Sequence, residues 1–270
     1  MSLDILKQYY QEQPFEVSLE IFSICNARCT FCPYTEIERK GHKMPDELID
    51  RVIEEMAAFR VPFYFSPFKV SDPLLDKRLY SILKKVNKKA PLARIRIFTN
   101  GSALTYAQAE QLNDIDNLEL WISLNEHRAD KYKELMGIDY DRVIKNIDML
   151  HDTDFRHPTT VLRVGVEPEF RVFCEARWPD YKVAMLKKDG WLGFTDPDSE
   201  EVPKHQCGRW YELSIMSTGI VAMCCMDAVG KYAIGDINKQ TLLEVYNSPT
   251  WKRYRESERR DLMPCKECSY

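Results

Sequence analysis

Short apolar stretches of strand length alternate with amphipathic stretches of helix length through the first two-thirds of this 270-residue chain, and few architectures satisfy that alternation. Phe15 to Ile24, Phe63 to Ser66, Ala93 to Thr99, Leu118 to Leu124, Val161 to Val166 and Tyr181 to Leu186 read as strands. Pro45 to Phe59, Lys77 to Lys89, Thr105 to Asn113 and Tyr140 to His151 carry helical spacing, and Met44-Pro45-Asp46-Glu47 is a helix start. Repeated βα units imply a parallel sheet with helices outside it. Six strands are too few for a closed eight-fold barrel. The expected fold is therefore α/β, an open, partial (β/α)6 barrel over residues 1–190 with its site at the C-terminal ends of the strands. After about Gly190 the pattern changes. Glu212 to Met216 and Ile220 to Met223 flank the hairpin signal Thr218-Gly219, and Leu242 to Tyr246 reads as a short helix. Residues 191–270 are expected to form a small C-terminal module.

A composition of 44% hydrophobic and 30% charged residues supports a packed core and argues against disorder. The net charge of −4 offers no basic field to nucleic acid or an anionic membrane. Lys84, Lys85, Lys88 and Lys89 read as the solvated face of one helix. No apolar run approaches the roughly 18 residues of a membrane span, and the polar start from Met1 to Gln13 has no signal-peptide core. The expected location is the cytoplasm.

Nine cysteines are many for a reducing compartment, where disulfides are rare and grouped cysteines point to metal or redox chemistry. Cys25, Cys29 and Cys32 lie on one short loop directly after the first strand. Three thiolates can take three corners of a cubane iron–sulfur cluster and leave one iron open, whereas zinc wants four ligands in a closed tetrahedron. A zinc loop borrowing a distant ligand such as His42 is the rival reading. The second group is Cys207, Cys224/Cys225 and Cys265/Cys268, and on spacing alone a four-cysteine zinc site is a serious competitor there. Cys174 stands alone and reads as a buried apolar residue.

The run CNARCTFC resembles the CxxxCxxC signature of the radical S-adenosylmethionine (SAM) superfamily, with the aromatic Phe31 before the last cysteine. The resemblance implies that a [4Fe–4S] cluster on Cys25, Cys29 and Cys32 chelates SAM at its open iron. Reductive cleavage then gives a 5′-deoxyadenosyl radical that abstracts hydrogen from a substrate. Ser71-Asp72-Pro73-Leu74-Leu75 resembles the family's Gly-Gly-Glu-Pro-like motif, with Asp for Glu, Ser for Gly, and an enlarged approach through Pro67-Phe68-Lys69. Ser71 and Asp72 are thus the implied holders of the SAM amino group, although Asp72 also reads as a turn acid before Leu74. Asn100 in Thr99-Asn100-Gly101, Ser123 and Asn125 after the fourth strand, and Arg163 in the fifth are further implied SAM contacts. For each, a satisfied polar group at a strand end is the alternative.

The pattern from Cys207 through Thr218-Gly219, Gly235-Asp236-Ile237 and Trp251 to Cys265-x-x-Cys268 is similar to the twitch module, a shortened relative of the SPASM domain. It implies one auxiliary [4Fe–4S] cluster on Cys207, Cys225, Cys265 and Cys268, making two clusters in all. Cys225 is preferred to Cys224 by its step from Cys207. Similar twitch enzymes oxidise a ring alcohol, so the implied substrate is a small polar molecule, sugar-like or aminocyclitol-like. The implied electron donor is a flavodoxin- or ferredoxin-type protein. Lys187 and Arg171, in the charged and aromatic segment from Glu167 to Phe194, are the candidate catalytic groups. Epimerisation, peptide modification and a non-catalytic iron–sulfur protein remain as other classes.

Overall fold

The computed structural model describes all 270 residues. Six parallel strands stand in chain order: β1 (Glu16–Leu19), β2 (Phe63–Ser66), β3 (Ala93–Thr99), β4 (Leu118–Ser123), β5 (Thr159–Val164) and β6 (Lys182–Leu186). Helices α2 (Asp46–Met56), α3 (Leu79–Lys89), α4 (Tyr106–Asn113), α5 (Ala129–Met136), α6 (Tyr140–His151) and α7 (Pro168–Arg177) fill the crossovers, and α1 (Leu3–Tyr9) precedes β1. Apolar residues at i, i+3, i+4 and i+7 form the stripes that cover the sheet: Leu79, Ile82, Leu83 and Val86 on α3, and Val143, Ile144, Ile147 and Leu150 on α6.

Strand alternation assigns the two faces of the sheet. Val17 and Leu19 of β1, and Ile95 and Ile97 of β3, are buried in the main core. Their neighbours Glu16, Ser18, Arg96 and Phe98 point the other way and line the barrel interior. The interior thus carries charged and polar side chains among aromatic ones, and the apolar core lies between sheet and helices.

The last third of the chain extends this sheet. β7 (Glu212–Ile215) pairs in parallel with the free edge of β1, from Glu16↔Glu212 to Leu19↔Ile215. β8 (Ile220–Ala222) and β9 (Gly235–Asp236) add antiparallel strands, and α8 (Leu242–Tyr246) and α9 (Pro249–Glu256) follow. Helices α1, α5, α7 and α9 have no counterpart in the sequence reading. Each buries only one or two residues, as with Phe170 and Cys174 on α7, so no apolar stripe announces them.

A buried ion pair joins the two parts. Glu20, just past β1, accepts from Arg39 Nε at 2.5 Å and Nη2 at 3.0 Å, and from the backbone N–H groups of Val70 and Ser217. Arg39 also donates to the carbonyl of Ala228. Arg39→Ala leaves a buried carboxylate without its counter-charge and should lower unfolding stability by about 3–5 kcal/mol. The Glu20→Gln/Arg39→Met double variant should lose less than that. Urea unfolding followed by circular dichroism, at matched iron content, checks both.

Candidate active site

The loop from Glu20 to Cys32 leaves the C-terminal end of β1 and is clamped on two sides. The end of α5 accepts from Arg28 N (to Met136 O, 2.9 Å) and Thr30 N (to Leu135 O, 3.0 Å), and Asp72 N donates to Ile24 O at 2.8 Å. Gly137, which ends α5 at φ +68°, admits this approach: a Cβ there would meet the Arg28 Cβ at 3.2 Å. Burial pushes the Cys25 thiol up to about 12 and Cys32 to about 11. Cys29 is raised by burial too, with the neighbouring thiols adding to it. Such thiols keep their protons until a metal displaces them.

The spacing of the sulfurs distinguishes a cluster from a single ion. Tetrahedral zinc at about 2.3 Å holds its sulfurs ~3.8 Å apart. Only Glu126, His127 and Glu167 bring three metal-ligating atoms within 4.8 Å of one another, and no cysteine trio does so. Each cysteine group is therefore wider than a single-ion site. His42 is exposed and stands apart as a residue of the surface. The Glu126/His127/Glu167 group is itself filled by arginines: Arg128 lies 2.7 Å from both glutamates, and Arg163 lies 2.5 Å from Glu167. Burial works to raise Glu126, but hydrogen bonds from Arg128 prevail and hold its carboxyl at about 2.

Asp72 is committed within the protein. Its carboxylate accepts from Thr99 Oγ1 at 3.0 and 2.9 Å, from Asn100 N at 2.9 Å and from Leu74 N at 3.1 Å. It caps the 3-10 turn Pro73–Leu75 and braces the end of β3, so its turn-acid role is the one the geometry displays. Adjacent Ser71 has a buried hydroxyl with no partner, a free polar group where the resemblance placed a SAM contact. Asn100 donates to Asn26 at 2.9 Å and faces Cys25 Sγ at 3.8 Å. Asn125, at φ +64°, accepts from Val164 N and knits β4 to β5, and Ser123 is half-buried beside it. Arg163 is held by Glu167 and the Asn125 carbonyl, while its buried Nε has no partner.

A cavity of about 900 Å³ runs along the barrel axis. Phe31 and Cys32 line it, as do Glu16 and Glu212, the paired first residues of β1 and β7. Lys69, Arg96, Phe98, Lys187 and Arg209 are also in its wall. Arg171 is not: it sits on α7, paired with Glu175 at 3.2 Å. The sequence reading missed Glu16, Arg96 and Glu212. The available signal was a charge inside strands that helices should cover on both faces, where near-continuous apolar runs are the rule.

The second cysteine group assembles with one exchange. Cys207, Cys224, Cys265 and Cys268 wall one small pocket with Trp210 and Arg260. Trp210 Nε1 lies 3.3 Å from Cys265 Sγ, and Arg260 donates to the Cys268 carbonyl. Cys225, chosen from its step along the chain, lines the barrel cavity instead. Both cysteines lie in the turn that follows β8, where Asp227 N donates to the Cys224 carbonyl at 3.2 Å, and this turn sends Cys224 to the pocket of the other three thiols. Cys174 is buried in the core. Cys224→Ala should remove about half of the iron bound after anaerobic reconstitution, and Cys225→Ala should retain all of it. Iron and sulfide analysis of the two variants checks this.

Comparison with known proteins agrees with this geometry. Residues 19–171, more than half of the chain, match the radical SAM superfamily, and residues 207–269 match the SPASM iron–sulfur cluster-binding domain. The S-adenosyl-L-methionine-dependent 2-deoxy-scyllo-inosamine dehydrogenase of Niallia circulans is 27% identical over 263 residues, covering 94% of this chain and 92% of that protein. The GTP 3′,8-cyclase of Alkaliphilus metalliredigens is 27% identical over 167 residues, covering 60% of this chain and 48% of the relative. Among solved structures, BtrN in complex with AdoMet and 2-DOIA superposes with a TM-score of 0.65 at 18% identity, over 95% of this chain and 93% of that one. Streptococcus suis SuiB bound to precursor peptide SuiA gives 0.72 at 16% identity, over 98% and 72%. No helix is long and apolar enough to cross a membrane. The chain belongs to the radical SAM superfamily: an oxidoreductase with a SAM-binding [4Fe–4S] cluster in its barrel and an auxiliary iron–sulfur cluster in its C-terminal module.

Proposed function

We propose that this enzyme oxidises an alcohol of a small polar substrate, sugar-like or aminocyclitol-like, held in the axial cavity. The observation that carries this reading is that one cavity is lined by Phe31 and Cys32 together with the charged side chains of Glu16, Arg96 and Glu212. The dehydrogenase similarity over nearly the whole chain supports it. When bound, SAM and the two clusters supply the hydrogen-atom abstraction and an acceptor for one electron.

The chain's own residues bind, orient and deprotonate. Arg96 lies flat over Tyr64, 3.7 Å from the ring centroid, within 3.7 Å of Glu16 and 3.4 Å of Glu119, so its guanidinium is fixed in direction. Glu16 accepts from Ser66 at 2.6 Å. Such oriented donors and acceptors suit hydroxyl and amino groups on a ring. Lys187 follows β6 and lines the same cavity as a further binding group. Glu212 is the proton acceptor. Burial raises its carboxyl to about 7, against the pull of Arg209 at 2.8 Å. A carboxylate that titrates near neutrality is well matched to take a hydroxyl proton. A flavodoxin- or ferredoxin-type protein supplies the electron that starts each turnover.

Two measurements test this. The rate should rise with pH through about 7, the limb on which Glu212 becomes the carboxylate. Glu212→Gln should abolish that limb and lower the rate by roughly 10²–10⁴-fold. Stability runs the other way. Glu212's folded value is raised, so its contribution is full below the ordinary carboxylate range and is lost as pH rises through about 7. A flat pH profile in the wild type would remove Glu212 from the reaction.

One placement favours a second reading, a redox-neutral inversion, because the Cys225 thiol lines the cavity and a weak S–H bond can return a hydrogen atom. In deuterium oxide, alcohol oxidation predicts an oxidised product with no deuterium at the attacked carbon and an active Cys225→Ala variant. A redox-neutral product carrying one carbon-bound deuterium, lost in Cys225→Ala, selects inversion.

A further inference from the structure

The enlarged segment Pro67-Phe68-Lys69, where this chain departs from its family's spacing after β2, carries a lysine far from the loop's own neighbours. Lys69 is buried at 6% exposure, and its ammonium crosses to the C-terminal module. Nζ donates to Ser214 Oγ at 3.0 Å, to the Cys224 carbonyl at 3.0 Å and to the Cys225 carbonyl at 3.1 Å. The cysteine carbonyls are 155 and 156 residues away in sequence. Three oxygens match the three N–H bonds of an ammonium. Burial lowers the Lys69 pKa and Arg39 adds to that, while the Cys225 and Cys224 sulfurs and the Glu20 carboxylate pull the other way and favour the ammonium.

We propose that Lys69 is a positioning residue that fixes one positive charge against the Cys224-Cys225 turn and so raises the reduction potential of the auxiliary cluster. Adding an electron makes a cluster more negative, and a buried neighbouring cation stabilises that state selectively. In a water-poor interior such a charge acts strongly, because little solvent screens it. The three hydrogen bonds also hold the cysteine turn in the orientation that sends Cys224 and Cys225 to opposite sides. A barrel residue three positions before Asp72 therefore biases an electron acceptor in the other module. The inference rests on the auxiliary cluster and not on the identity of the substrate.

The test is a redox titration of the reconstituted holoprotein without substrate, followed by electron paramagnetic resonance. The auxiliary signal is assigned in the Cys25→Ala/Cys29→Ala/Cys32→Ala background. Lys69→Met removes charge and hydrogen bonds, whereas Lys69→Gln keeps a donor to the carbonyls and removes only the charge. The expected result for Lys69→Gln is full iron content and an auxiliary cluster at least about tenfold harder to reduce, about 59 mV for a one-electron couple. Lys69→Met should shift at least as far. The first cluster's midpoint should stay where it is. Lys69→Gln at the wild-type midpoint would show that the hydrogen bonds suffice, and loss of auxiliary iron in that variant would make Lys69 purely structural; either result overturns the proposal. Because no substrate is present, neither outcome bears on alcohol oxidation.

Discussion

In a partial barrel the first strand ordinarily leaves one edge unpaired, and here β7 occupies that edge. Four parallel residue pairs, from Glu16↔Glu212 to Leu19↔Ile215, make β1 an interior strand. The consequences spread in both directions along the chain. The cysteine loop after β1 gains a rigid base, because Val17, Leu19, Leu213 and Ile215 are all fully buried around it. The β7–β8 hairpin is fixed relative to the barrel, and the turn that follows β8 carries Cys224 to the auxiliary pocket. An exposed edge would also invite pairing with other chains.

The same pairing brings charge into the barrel. Glu16 and Glu212 stand side by side at the start of β1 and β7, with Arg96 and Arg209 as their counter-charges. The neighbouring Glu16 carboxylate opposes ionisation of Glu212, and this joins burial in lifting Glu212 toward neutrality. A sheet closing on an apolar interior would have filled the barrel. A polar interior keeps it open as a cavity of about 900 Å³. Glu20 with Arg39, and Lys69 with the cysteine turn, then bridge the two halves, and Lys69 and Cys225 line that cavity together with its cations and carboxylates.

Much of this was legible along the chain. The strands at Phe63–Ser66 and Ala93–Thr99 and the helix at Tyr140–His151 stand where their periodicity placed them, because each buries a continuous apolar face. Helices α1, α5, α7 and α9 bury one or two residues each and offer no such face. Asp72 shows the limit of motif reading: the residue aligns with a SAM-binding acid, yet its oxygens serve Thr99, Asn100 and Leu74. Ser71, the less conspicuous neighbour, is the one with an unpartnered hydroxyl.

What the sequence determined by itself is the chemistry: eight cysteines in two groups, the βα alternation that builds a parallel sheet, and the CNARCTFC loop that marks the superfamily. These are local signals, carried by residue type and by spacing within a few turns of chain. Tertiary structure alone decided that Cys224 and not Cys225 joins Cys207, Cys265 and Cys268. It also decided that β7 completes β1, that Lys69 reaches the cysteine turn, and that Glu212 sits beside Glu16. Each depends on the register and direction of segments far apart in sequence. In an extended strand a shift of one residue reverses every side chain, so no count along the chain could assign them.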